Sequence, residues 1–132
     1  MKILFWNCQG LGNSPTVRAL KHVLLTNKSM IHGIADPRMN FERWMSFKWI
    51  NLGYSLVSAN QKVNGNESLW VLKHNTVVVD YFLSDQQSVN FSFCFQSKRF
   101  CVTFLYAFNQ YIRRRELWDS LLVTSGNLSS SW

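Results

Sequence analysis

The side chains best able to do chemistry are spread thinly along this chain. The densest basic run is Arg113-Arg114-Arg115. Three neighbouring guanidiniums suit phosphate contact, and they equally suit the solvated face at a helix start. Asn7, Asp36 and Tyr106 each stand at or near the end of an apolar run. Taken singly, Asn7 reads as a turn residue and Asp36-Pro37 as a strand end, because a residue before proline avoids helical geometry. Tyr106 alone reads as a core aromatic with its hydroxyl at a sheet edge. His22, His32 and His74 fall in a helix, a strand and a turn, so they form no cluster in the sequence. Cys8, Cys94 and Cys101 lack Cys-x-x-Cys spacing and are odd in number. They read as buried thiols of a reduced compartment rather than a disulfide framework or zinc site.

The composition fixes the frame that must hold these groups. The chain has 132 residues, room for one domain spanning 1–132. It is 47% hydrophobic and 15% aromatic, which excludes a disordered chain. Ten Phe and six Trp ask for more burying surface than a small domain supplies, which points to a missing partner surface, either another chain or the rest of a longer domain. The formal charge of +7 biases the protein toward polyanions such as nucleic acid. The opening apolar run is too short for a signal peptide, and no stretch approaches the roughly 18 apolar residues of a membrane span. The expectation is a soluble intracellular protein, of nucleus or cytoplasm, with no membrane partner.

Lys2 to Trp6 predicts a buried strand that runs into the glycine-bearing loop Gln9 to Asn13. Ser14-Pro15 predicts a helix start, and Val17, Leu20 and Leu24 carry helical spacing to about Asn27. Ile31 to Ala35 is the next strand, so the chain opens strand–helix–strand. Phe41 to Asn51 predicts a second helix, closed by Gly53. Period-two strands follow at Tyr54–Ala59 and Ser68–Leu72, joined through Asn64-Gly65-Asn66, and then at Thr76–Leu83, Val89–Gln96 and Arg99–Phe108. Lys98-Arg99 is expected in a hairpin turn. Both faces of the last strand are largely apolar, as in a sheet covered on both sides. Ile112 to Thr124 predicts a final helix, with Leu117 and Leu121 beside a stripe of Trp118 and Leu122. A polar linker from Gly126 to Trp132 ends the chain.

The segment Lys2-Ile3-Leu4-Phe5-Trp6-Asn7-Cys8-Gln9-Gly10-Leu11-Gly12-Asn13 resembles the first strand and loop of endonuclease/exonuclease/phosphatase (DNase-I-like) domains. Its Trp-Asn-Cys-Gln-Gly-Leu-Gly form looks like those of plant LINE-type retrotransposons. Thr16-Val17-Arg18-Ala19-Leu20, Ile34-Ala35-Asp36-Pro37, Leu105-Tyr106-Ala107 and Arg114-Arg115-Glu116-Leu117-Trp118 follow in the family's order and carry the resemblance along essentially the whole chain.

The resemblance implies half of an α/β sandwich: one mixed, mostly antiparallel sheet of about six to seven strands, with helices on one face. It implies magnesium as cofactor and DNA as partner, because magnesium neutralises phosphate charge and prepares water for in-line attack. Asn7 and Tyr106 would be catalytic, and Asp36 would bind metal where the family carries a glutamate. Asn109, Arg114 and Arg115 would contact substrate.

Two departures set the expected activity. Asp36 is one methylene shorter than glutamate, which withdraws the charge by about 1.5 Å. The family's Gly-Asp-x-Asn strand would begin at about Trp132, and its Ser-Asp-His ending lies further on. The expectation is an N-terminal fragment of a hydrolase domain, inactive alone. The alternatives are a basic nucleic-acid-binding module without catalysis, or a nuclease completed by a partner chain. A truncated domain would also expose an apolar sheet face and self-associate through it.

Overall fold

The computed structural model describes residues 1–45 and 49–127. Its opening unit follows the sequence. β1 (Ile3–Asn7) lies parallel to β2 (Ile31–Ala35), and α1 (Ser14–Asn27) connects them. Asn13 rather than Ser14 caps α1: its Oδ1 accepts from the Thr16 amide at 2.8 Å. Ser14 thereby becomes the first helical residue, with Pro15 in the turn where its missing N–H costs nothing. Lys28, in the left-handed region, ends the helix.

β3 (Tyr54–Ala59) and β4 (Leu69–His74) complete a four-stranded sheet in the order β1-β2-β4-β3. The helix expected over Phe41–Asn51 is divided into α2 (Phe41–Met45) and a 3-10 turn (Trp49–Leu52), while residues 46–48 lie outside the described residues. Gly53, at φ +80°, closes that turn. Asn64 and Gly65 both have positive φ, the conformation expected of an Asn-Gly turn.

β5 (Val79–Ser84), β6 (Ser88–Phe95) and β7 (Lys98–Leu105) form a separate antiparallel sheet in the order β5-β6-β7. The expectation of one sheet of six to seven strands is therefore corrected to two sheets, of four strands and three. The switch occurs after β4. The Val77 amide bonds back to the His74 carbonyl at 2.9 Å, and Val77 then sinks between the sheets. Alternation along a strand reports its faces, but not which strand it pairs with, so this step was invisible in the sequence. The turn between β6 and β7 is made by Gln96 and Ser97, both at positive φ, so Lys98 and Arg99 belong to the strand.

The two sheets bury their apolar faces against each other. Ile31, Ala35, Leu69 and Val71 meet Val89, Phe91, Phe93 and Phe104. On its other face the first sheet presents Ile34, Trp70 and Leu72 to Leu20 and Leu24 of α1, with Phe41 of α2 packed alongside. The layers thus run helix, four-stranded sheet, three-stranded sheet. The apolar sheet faces cover one another. Large apolar side chains are exposed instead at Phe5, Phe82 and Leu83 and along α3 (Tyr111–Asn127). Gly126 and Asn127 lie in that helix rather than in a linker, and residues 128–132 fall outside the described residues. Of the cysteines only Cys8 is buried; Cys94 is exposed and Cys101 half-buried, because both point away from the inter-sheet core.

One side of the sandwich is stitched shut. Asn60 donates to the Gln86 carbonyl at 2.8 Å, and the Gln61 amide to the Asp85 carbonyl at 2.8 Å. On the other side β1 and β7 are edge strands, and Phe5 stacks on Phe104 with ring centroids 5.5 Å apart. Gly33 lies beneath that stack. A Cβ there would meet the Phe5 ring at 2.6 Å and the Phe104 ring at 2.7 Å, so only glycine admits both rings.

His32 projects from β2 toward the helix layer. It is buried, pairs with the Ser29 hydroxyl and meets the Tyr54 ring edge-on at 5.2 Å. Burial pushes its pKa down to about 4, from an ordinary 6.5. The unfolded chain therefore takes up a proton on His32 before the folded chain does. This contribution to stability is complete above pH 6.5 and is lost as pH falls toward about 4, roughly 3 kcal/mol in all. Urea midpoints measured from pH 7 to pH 4 should fall steeply, and His32→Gln should remove most of the slope. An unchanged slope in that variant would place the acid sensitivity elsewhere.

Candidate functional site

β1 and β2 end together, with Asn7 paired to Ala35, and the loops beyond them remain laced. The Cys8 amide bonds to the Ala35 carbonyl at 3.0 Å, Gly10 to Asp36 at 2.7 Å and Leu11 to Pro37 at 2.9 Å. The Asp36 amide is held from the other side by the Ser68 carbonyl at 2.8 Å. Asp36 is thus fixed at both backbone groups while its carboxylate projects from the end of the sheet.

The backbone here is strained. Gln9, Asp36 and Arg38 all lie at φ near +50°, a region that costs a non-glycine residue about 1 kcal/mol or more. Such strain persists only where the surroundings over-determine it, and it concentrates at functional sites. Here the laced loops do the fixing. One consequence is that Arg38 folds back over Gly10 and onto Asp36. Its guanidinium reaches the carboxylate at 3.2 Å, with the Arg38 side chain 65% exposed and that of Asp36 20%.

Tyr106 reaches the same place from the second sheet. It follows β7, and its hydroxyl pKa is raised, first by burial and then by the negative charge of Asp36, partly offset by Arg38. The thiol of Cys8, which donates to the Ala35 carbonyl at 3.3 Å, is also raised, chiefly by burial. Asn7, Cys8, Asp36, Arg38 and Tyr106 therefore share one end of the sandwich, drawn from three distant segments. Asn7 is exposed, its side-chain oxygen accepting from the Gln9 amide at 3.3 Å.

The remaining sequence candidates lie in the segment after Tyr106. Asn109 is exposed in the loop, and Arg114 and Arg115 are exposed on α3. Arg113, named in the basic run but not among the expected substrate contacts, is the member that the fold uses. Its guanidinium lies 3.6 Å from the centroid of the Phe108 ring and bonds to Gln86 at 2.9 Å.

Gln87 sets this whole segment. Its carbonyl accepts from the Tyr106 amide at 2.8 Å, and its side chain accepts from Phe108 at 2.8 Å and donates to the Arg113 carbonyl at 2.7 Å. Asp85 in turn fixes Gln87, accepting from its amide at 2.7 Å. Sequence reasoning missed both Gln87 and Arg38. A glutamine in a polar turn carries no signal, while an arginine two residues after Asp36 was a signal left unused.

Among the described residues no group of three or more His, Cys, Asp or Glu side chains stands close enough to hold a metal ion. Magnesium needs oxygen ligands in near-octahedral array, commonly one or two carboxylates with waters and substrate phosphates. The cluster offers the Asp36 carboxylate, the Asn7 amide oxygen and the Tyr106 hydroxyl, and the carboxylate is already paired with Arg38. This donor set alone does not make a resident magnesium site.

Compared with known protein families and curated proteins, the chain matches no family model and no curated sequence. The site is therefore read from its own chemistry. It presents an amide, a phenol and a guanidinium at one end of the sandwich, all able to donate to an anionic oxygen.

Gln87→Leu should remove two side-chain bonds and leave the Phe108 amide unpaired, at a cost of about 1–3 kcal/mol. Amide exchange at Phe108 should then accelerate more than in the β2–β4 ladder. Unchanged protection at Phe108 would deny Gln87 its positioning role.

Proposed function

We propose that this chain is the N-terminal part of a magnesium-dependent, phosphodiester-cleaving endonuclease domain of a retrotransposon, and that by itself it binds DNA without cutting it. The observation that carries the reading is the convergence of Asn7, Asp36 and Tyr106, singled out by resemblance, at one end of the sandwich. Asn7, Tyr106 and Arg38 supply donors for phosphate oxygens. Asp36 supplies one carboxylate toward the magnesium that the completed domain would hold, and that ion would neutralise phosphate charge there.

No histidine stands at the cluster to activate water. His32 is buried within β2, and His74 lies at the far end of β4, paired with Thr76 at 2.8 Å. His22 lies on α1. None of the three stands beside Asn7 and Asp36, so no histidine is placed to act as a general base there. A nuclease completed by a partner chain would draw that base from the partner.

The pairing of Asp36 with Arg38 favours a second reading, a basic nucleic-acid-binding module that needs no metal. Nuclear or cytoplasmic residence follows from either reading.

Incubation of the purified chain with supercoiled plasmid, with and without magnesium, tests the proposal. The expected result is no nicking, together with DNA binding that weakens steeply with salt. Magnesium-dependent nicking abolished by Asn7→Ala would overturn the inert-fragment reading, and absence of any DNA binding would remove both readings.

A further inference from the structure

α3 is packed by one narrow face. Leu117 is buried, and Arg113, Leu121 and Thr124, at helical spacing from it, are half-buried. The opposite face carries Tyr111, Arg115, Trp118 and Leu122, at steps of four, three and four residues. That is the spacing of a helix-pairing seam. Ile112 and Val123 lie together on the far side of Asp119 from it. The exposures are those of residues awaiting cover: 74% for Tyr111, 75% for Ile112, 53% for Trp118, 71% for Leu122 and 65% for Val123.

We propose that this face of α3 pairs with the same face of a second copy, antiparallel, about a two-fold axis. The seam is self-complementary in one register. Tyr111 meets the partner's Leu122, and Arg115 meets the partner's Trp118, and the two-fold repeats both pairs. The first pair buries apolar area, and the second sets a guanidinium over an indole face, the best of the cation–π partners. An isologous contact of this kind closes on itself as a dimer rather than growing into a fibre.

One feature argues for a second copy over a bilayer. A bilayer would have to take in Asp119, which lies beside Arg115 on the exposed side of the helix, and burying an unpaired carboxylate is costly. In the helix pair Asp119 stays at the wet rim. The area also suits a weak dimer: the exposed side chains amount to roughly 500 Å² per copy, below the ~800 Å² of a standard stable interface. The seam faces away from the surface by which α3 packs on the fold. The proposal relocates the self-association expected from a bare sheet face to a helix.

Sedimentation equilibrium of the full chain across a wide concentration range should show a reversible monomer–dimer equilibrium. Leu122→Glu should weaken it about tenfold or more, while Leu25→Glu, on the exposed face of α1, should leave it unchanged. Both sites are exposed, so an unaltered circular dichroism spectrum and melt will certify the fold. Register is read separately in a Cys94→Ser background. A mixture of Tyr111→Cys and Leu122→Cys chains should yield a covalent dimer with a short thiol crosslinker, and neither chain alone should. A monomer at every concentration, a dimer indifferent to Leu122→Glu, or crosslinking by either chain alone would overturn the proposal. Binding of the native chain to anionic vesicles that Leu122→Glu abolishes would also overturn it, in favour of a membrane surface.

Discussion

The close approach of the two sheets at Gly33 is the constraint on which the rest of the molecule depends. Every other residue type would bring a Cβ to 2.6 Å from the Phe5 ring and 2.7 Å from the Phe104 ring. With glycine there, the edge strand β1 stacks onto the edge strand β7, and the inner faces close from Ile31 to Phe104. Burial of Phe91, Phe93, Val71 and Leu69 supplies the driving force, each large side chain contributing about 2 kcal/mol. Geometry at Gly33 decides the distance over which that force acts. It also sets how far Tyr106, two residues beyond Phe104, stands from Asn7 and Asp36.

The site inherits its form from this contact and from the two devices at its margins. On the first sheet, backbone bonds from Cys8, Gly10 and Leu11 lock the loop that holds Asp36 and Arg38 in left-handed conformations. On the second, Gln87 ties Tyr106, Phe108 and the start of α3 into one piece. The result is a surface on which the Asp36 carboxylate is paired with the Arg38 guanidinium. An exposed pair such as Asp36–Arg38 contributes at most about 1 kcal/mol, so the guanidinium can leave the carboxylate for a phosphate at small cost.

Much of this was legible because strand ends are marked in the sequence. The apolar runs Ile3–Trp6 and Ile31–Ala35 stop at Asn7 and Asp36, and parallel pairing of the two strands then brings those residues together. Tyr106 could be placed at a strand end but not beside them, since that requires knowing that β5 to β7 form a second sheet folded back over the first. Period-two alternation is the same for both arrangements. Arg38 stands two residues after Asp36 in the sequence, but the left-handed backbone that folds it back onto that carboxylate has no propensity signal. Ser88, Asn90 and Ser92 alternate with the core residues of β6 and are nonetheless buried, since β6 is the central strand of its sheet.

The account rests on Asn7, Arg38 and Tyr106 acting as one phosphate-binding surface, and nuclear magnetic resonance tests that most directly. A short DNA duplex would be titrated into ¹⁵N-labelled chain in the presence of EDTA. The account predicts progressive, salt-sensitive shifts of the Asn7 side-chain amide, the Arg38 side-chain Nε–H and the Tyr106 backbone amide along a single binding curve, all weakened together by Arg38→Ala. Shifts confined to α3 with those three signals unmoved, or shifts that appear only when magnesium is added, would contradict it.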